Sequence, residues 1–253
     1  MGQKILCIFV RQFQNDETMA SVSQKYKEKY DSHYSDKSEE WRRIGAVGKV
    51  QNIIDITKGL HFDTLIDIGA GDGNVLSLLS ERKVAPKLTA VEISDSAIEQ
   101  IKKKTILGVT EIKQFNGYNL PFEDNAFDLA VCSHVIEHVE FPRKLLREIK
   151  RISKHQVFEI PIDFSFRVDK KFEHFNSYGH INIYTPALFN FLLYTEGYEI
   201  VKHKNAFYRN EVYRFQYKGK FVKRVLAQVK TFVRKSIPIL AKIKPDTYIV
   251  LTK

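Results

Sequence analysis

Two groups of residues carry chemistry in their types and spacing. The first is Asp67-Ile68-Gly69-Ala70-Gly71-Asp72-Gly73, which follows the apolar run Thr64–Asp67 and leads into a helical pattern. Glu92 stands nineteen residues after Gly73, at the end of a second apolar run, Leu88-Thr89-Ala90-Val91. A strand, a glycine turn, a helix and a second strand ending in a carboxylate make the first half of a nucleoside-binding α/β unit. The bare glycine backbone lets a ligand approach, and the carboxylate accepts hydrogen bonds from ribose hydroxyls. The loop is not a G-x-G-x-x-G dinucleotide fingerprint, whose third glycine falls one position later than Gly73. A pyrophosphate would meet Asp67 and Asp72 where it needs N–H donors, so the loop suits a nucleoside that carries a cation.

The second group lies downstream. His134-Val135-Ile136-Glu137-His138 follows an apolar run, and Glu159-Ile160-Pro161-Ile162-Asp163 leads into Phe164–Thr185, which holds His174, Phe175, Tyr178, His180 and Tyr184. A neutral imidazole titrates in the range needed to take a proton from a hydroxyl, which makes His180 the leading general base.

Several elements must position these groups. Asn74–Lys83 and Ser96–Lys104 read as helices, the second with Ala97, Ile98 and Ile101 on one side. Thr110–Asn116, Phe127–Ser133 and Gln156–Pro161 read as strands, with Pro142 opening the helix between the last two. Such alternation implies a mostly parallel sheet with helices on both faces and its ligand at the carboxyl ends of the strands, where Gly69, Glu92, Asn116 and Ser133 fall. Ahead of the glycine loop, Tyr26–Glu40 is polar, and Glu40–Ile56 is an amphipathic helix carrying Trp41, Val47, Val50 and Ile54.

The D-x-G-x-G-x-G loop with Glu92, together with Leu120-Pro121-Phe122 through Phe127-Asp128 to Glu137-His138-Val139, resembles the class I S-adenosylmethionine-dependent methyltransferases, type 11-like, of the ubiquinone-pathway and bacterial small-molecule or sugar-modifying kinds. The resemblance covers about residues 41–203. It implies an α/β, Rossmann-like fold: a mostly parallel seven-stranded sheet with helices on both faces and one antiparallel strand, Asp246–Thr252, beside the fifth. It implies S-adenosylmethionine as cofactor, held by Asp67, Gly69, Gly71, Gly73, Glu92, Ile93, Asn116, Gly117 and Ser133. Asn116 departs from the family, which has Asp there against the adenine amino group; an amide oxygen can still accept that bond. In related enzymes the N-terminal segment folds over the cofactor, so Tyr26, Tyr30 or Trp41 would stack on it or pack on the surface.

Gly179-His180-Ile181-Asn182-Ile183-Tyr184-Thr185-Pro186, followed by Gly197-Tyr198-Glu199, resembles the acceptor-side segment of bacterial methyltransferases acting on small metabolites or sugars. His180 is then the catalytic base, with His134 the second candidate. As H-x-x-E-H, residues 134–138 also match an inverted zinc-protease motif, but they follow a strand within a methyltransferase pattern. Some O-methyltransferases hold a divalent cation on E-x-x-E-H at this location. Here His134 replaces the first Glu, which disfavours magnesium; no metal is expected, and His134, Glu137 and His138 are the residues that would hold one.

The chain of 253 residues, 43% hydrophobic and 28% charged, can bury one substantial core. It divides into an N-terminal extension and cofactor-covering segment, 1–40, and a methyltransferase domain, 41–253, with an acceptor-side insertion at about 164–185 and a basic helical insertion at about 206–245. Cys7 and Cys132 suggest reduced, buried thiols and a cytoplasmic location. The run Ile5–Val10 is too short for a signal peptide or membrane span. Residues 211–253 hold eleven Lys and Arg against Glu211 and Asp246, so nearly all of the chain's net charge of +10 is local. Lys220–Lys235 reads as a basic amphipathic helix whose apolar face is expected to cap the sheet, while its basic face would fit a phosphorylated substrate, RNA or an anionic membrane surface. The expected function is O-methylation of a small-molecule or sugar-like acceptor. An RNA methyltransferase, a peripheral-membrane enzyme acting on a lipid-linked acceptor and a non-catalytic cofactor-binding module are the other classes.

Overall fold

A computed structural model describes residues 39–164, 168, 171, 173, 175, 178–237 and 245–253. Tyr26, Tyr30, Cys7 and His174 lie outside the described residues. Seven strands form one sheet: β1 (Thr64–Ile68), β2 (Lys87–Glu92), β3 (Val109–Gln114), β4 (Phe127–Ser133), β5 (Ser153–Pro161), β6 (Ile200–Ala206) and β7 (Thr247–Thr252). Their order across the sheet is β3-β2-β1-β4-β5-β7-β6, and β7 runs antiparallel to both neighbours. The order reverses direction at β1 and β4, and a ligand crevice opens there, beyond the strands' carboxyl ends.

Alternating side chains on each strand feed two cores. Leu65, Leu129, Val157 and Leu251 pack with α1 (Glu39–Ile56), α2 (Asn74–Glu81) and Ile101 of α3 (Asp95–Lys103). Ile66, Ala130, Phe158 and Val250 pack on the other face with α4 (Pro142–Ile152) and α5 (Pro186–Thr195). Local chemistry sets the helix starts: Ser94 caps α3 by accepting from Ala97 N, Thr185 caps α5 by accepting from Leu188 N, and Pro142 and Pro186 sit where a missing N–H is harmless. Val47, read as part of the apolar face of α1, is instead exposed, and Lys49 and Asn52 turn toward the crevice.

The Leu120–Asp124 stretch is fixed by α4. Glu148 Oε2 accepts from Leu120 N, and the Arg151 guanidinium donates to Leu120 O, Phe122 O and Asp124 Oδ1.

The connection from β6 to β7 holds α6 (Asn210–Gln216) and α7 (Phe221–Ser236). The expectation that the apolar face of α7 caps the sheet is overturned: Thr231 is the buried residue of this helix, whereas Val222, Leu226 and Phe232 are 67%, 62% and 71% exposed. The physical reason is rotation about the helix axis, because α7 rests on α6 through its polar side and turns its apolar stripe outward. Among the described residues, no helix is long and apolar enough to cross a membrane.

Phe158 is fully buried at the sheet centre, its ring edge-on to Tyr198 at 5.4 Å and to Phe189 at 6.1 Å. Phe158→Ala is expected to lower unfolding free energy by about 3–5 kcal/mol, read as a fall in the urea midpoint at unchanged slope.

Candidate functional site

A cavity of about 990 Å³ lies over the carboxyl ends of β1, β2, β4 and β5. Its wall brings together Asp67, Gly69, Gly71, Glu92, Ile93, Gly117, Ser133, His134, Glu137, His138 and His180. Two predicted cofactor residues stand outside that lining. Gly73 has φ +75° and caps α2 against Ile101, where an added Cβ would come within 3.0 Å of Ile101 Cγ1. Asn116 turns its Oδ1 onto its own loop, accepting from Tyr118 N at 3.0 Å and Asn119 N at 2.7 Å, while its neighbours Phe115 and Gly117 line the cavity.

The glycine loop works by close approach. Gly69 has φ +69°, and a Cβ there would fall 2.7 Å from Val135 Cγ2, so no larger residue fits without displacing the β4 loop. Glu92 is fixed on the cavity wall by three backbone donors: Gly71 N to Oε2, and Ile93 N and Ser94 N to Oε1. Asp72 is instead structural, accepting from Arg42 Nε at 2.6 Å and from Asn74, which ties α1 to the loop.

Asp67 is 3% exposed, and its Oδ2 has no hydrogen-bond partner. Burial, reinforced by Glu92 and opposed by Lys49, pushes its carboxyl up to about 7. Glu159, also buried, accepts from Asn52 Nδ2, Thr247 Oγ1 and Ser133 Oγ. Lys49 and Asn52 are cavity residues that the sequence reading passed over; the available signal was two polar residues three apart on α1, the spacing that puts them on one face.

On the far wall, His180 Nδ1 lies 2.6 Å from Asp163 Oδ2, and the His180 ring stands edge-on to His138 at 4.9 Å. His138 Nδ1 lies 3.0 Å from Gly179 O. Between them Glu137 is 1% exposed with neither carboxyl oxygen hydrogen-bonded, and burial pushes it up to about 7. One donor atom from each of Glu137, His138 and His180 falls within 4.8 Å of the others, a two-His, one-carboxylate set of the kind that suits zinc. His134, the second predicted base, is held in the left-handed region at φ +57°, and burial drives its imidazole well below the usual range. His134 therefore stays neutral, its Nδ1 3.5 Å from Glu137 Oε1.

The wall has a contribution from the β6–β7 connection as well. Phe207, Tyr208, Arg209 and, from α6, Val212 and Gln216 line it, with Asp246 at the start of β7. Trp41 completes this side and stacks at a tilt on Phe215 of α6, centroids 5.7 Å apart. Composition gave no sign that this connection reaches the cavity.

Comparison with known proteins agrees with this geometry. Residues 66–158 match the family model described as a methyltransferase domain. An uncharacterised methyltransferase of Schizosaccharomyces pombe is 30% identical over 101 residues, 36% of this chain and 36% of that protein. The chain thus spans about a third of the length of that curated relative. Among solved structures, a SAM-dependent methyltransferase of Thermotoga maritima superposes with a TM-score of 0.60 at 16% identity, covering 90% of this chain and 99% of that one. Phosphoethanolamine N-methyltransferase 2 of Haemonchus contortus, in complex with S-adenosyl-L-methionine, gives 0.61 at 15% identity over 91% of this chain and 60% of that one. These structural likenesses establish the fold. The matched segment runs from β1 to β5 and carries the glycine loop, Glu92, Ser133 and the Glu137-His138 pair, so it is over the site-bearing part of the sheet that the chain is similar to methyltransferase domains.

Proposed function

We propose that the protein transfers a methyl group from S-adenosylmethionine to a hydroxyl of a small-molecule or sugar-like acceptor. The observation that carries the reading is the cavity's pairing of two walls: acidic Asp67 and Glu92 beside the glycine loop on one, and the Asp163–His180 pair on the other. The residues fit a cationic nucleoside. Asp67 offers a buried, unpartnered oxygen, and Glu92 is held in place by backbone donors. When bound, S-adenosylmethionine supplies an already electrophilic methyl group.

The chain's own task is then positioning and proton removal. Walls on both sides of the cavity restrict the acceptor to a narrow range of approaches, and positioning of this kind supplies several kcal/mol, on the order of 7 or more in the best cases. Donation from His180 Nδ1 to Asp163 leaves the imidazole lone pair on Nε2, the atom that would take the acceptor's proton. Cys132, buried with its thiol pushed well up, is inert toward substrate.

Asp67 links ligand binding to protons. Its folded pKa of about 7 lies above the ordinary 3.8, so between roughly pH 4 and 7 the folded, ligand-free protein keeps a proton that the unfolded chain has lost. Stability therefore falls as pH rises through that window, and Asp67→Asn is expected to flatten the fall. A cation beside Asp67 favours the carboxylate. Calorimetry of S-adenosylmethionine in buffers of different ionisation enthalpy should detect proton release on binding near neutral pH, little at alkaline pH and none with Asp67→Asn. Preference for NAD over S-adenosylmethionine would sink the assignment.

The chemistry is tested at the opposite wall. His180→Ala is expected to lower turnover by about 10²–10⁴-fold with little change in S-adenosylhomocysteine affinity, and Asp163→Asn to lower it less while shifting the pH profile. Turnover should survive excess EDTA; loss on chelation and recovery on adding zinc would assign Glu137, His138 and His180 to a cation instead.

A further inference from the structure

The helix α7 is amphipathic the wrong way round for a core element. At about 100° per residue, Phe221, Val222, Val225, Leu226, Val229, Phe232 and Val233 fall within one stripe of about 140°, all of them exposed. Thr231, the buried residue, lies roughly 150° from the stripe's centre. The polar side fastens the helix to the body: Thr231 Oγ1 lies 2.7 Å from Tyr213 Oη of α6, and the Arg234 guanidinium bonds both oxygens of Asp246 at 2.9 and 3.2 Å. The apolar stripe is thus aimed outward by specific bonds, and exposed Lys223 and Lys230 follow one of its borders while exposed Lys235 lies beyond the other. The helix contains no acidic residue.

We propose that α7 is an interfacial helix that docks the protein on an anionic membrane surface, inserting Val222, Val225, Leu226, Val229 and Phe232 at the headgroup boundary with the lysines against acidic headgroups. An apolar stripe bordered by Lys is the pattern that favours burial in a headgroup layer, and each such cation adds attraction to an acidic leaflet. Charge argues against a second copy of the chain as occupant, because two such stripes face to face would bring lysines together with no acid on either helix to receive them. It argues less well for RNA, since five of the seven stripe residues are aliphatic and Phe221 and Phe232 alone offer rings on which a base could stack.

The docking surface and the cavity are mechanically one unit. Asp246, which holds Arg234, lines the cavity, as do Val212 and Gln216 on either side of Tyr213.

The test is co-sedimentation of the full chain with vesicles of phosphatidylcholine alone and of phosphatidylcholine mixed with phosphatidylglycerol. The protein should pellet with the acidic vesicles and stay largely in solution with the neutral ones. Leu226→Asp with Val229→Asp should abolish pelleting, and Lys223→Gln, Lys230→Gln and Lys235→Gln together should weaken it roughly ten-fold or more. All variants should keep S-adenosylhomocysteine affinity, since the substituted side chains do not line the cavity; failure of that binding in every form, with pelleting intact, would overturn the cofactor reading and leave the docking helix standing. No pelleting of the unmodified chain, or pelleting unchanged by the two aspartates, would overturn docking. So would a dimer that Leu226→Asp disperses, or RNA binding that the aspartates leave intact.

Discussion

Burial of carboxylates at one end of a parallel sheet is the constraint on which the rest of this molecule depends. Asp67, Asp72, Glu92, Glu137 and Glu159 are all 5% exposed or less, and a buried charge is tolerated only when paired or hydrogen-bonded. Three of the five are answered by the chain itself. Asp72 receives Arg42 and Asn74, Glu92 receives three backbone N–H groups, and Glu159 receives Asn52, Ser133 and Thr247. Asp67 keeps one oxygen and Glu137 both oxygens without a hydrogen bond, and burial holds each near a neutral pKa. The two acids left unanswered are therefore the points on the cavity wall where a proton or a cation changes the energy most. In the proposed reaction Asp67 would serve the cofactor, and Glu137, beside His138 and His180, the acceptor.

The same accounting explains the role of α1. A helix laid over the crevice brings Arg42, Lys49 and Asn52 to three of these carboxylates, so the N-terminal end of the described chain is part of the site's electrostatics. The β6–β7 connection continues the rim beside α1 with Phe207, Tyr208 and α6, where Trp41 meets Phe215, and the Arg234–Asp246 pair joins that rim to α7.

Much of the fold was legible because short apolar runs separated by amphipathic stretches leave few alternatives to a doubly wound sheet. β4 was read to the residue, and the glycine loop with Glu92 was legible because close approach and ribose recognition restrict residue type at fixed spacing. What sequence could not convey was orientation. Asn116 has the right chemistry and position along the chain, yet its amide turns back on Tyr118 and Asn119. Gly73 belongs to the motif but serves helix packing against Ile101. The amphipathicity of α7 was plain, but periodicity alone does not say which way a stripe faces, and a few polar bonds at Thr231 and Arg234 turn it outward. The pairing of Asp163 with His180 was invisible because it joins a strand end to a loop seventeen residues away.

The most direct test of the account is a crystal structure of the protein grown with S-adenosylhomocysteine. The account predicts the ligand in the cavity, its ribose hydroxyls on the Glu92 carboxylate, its ammonium on the side of Asp67, and its sulfur open toward His180. A ligand bound elsewhere, or a complex in which Asp67 Oδ2 and Glu92 make no contact with it, would contradict the claim that these buried acids define the site.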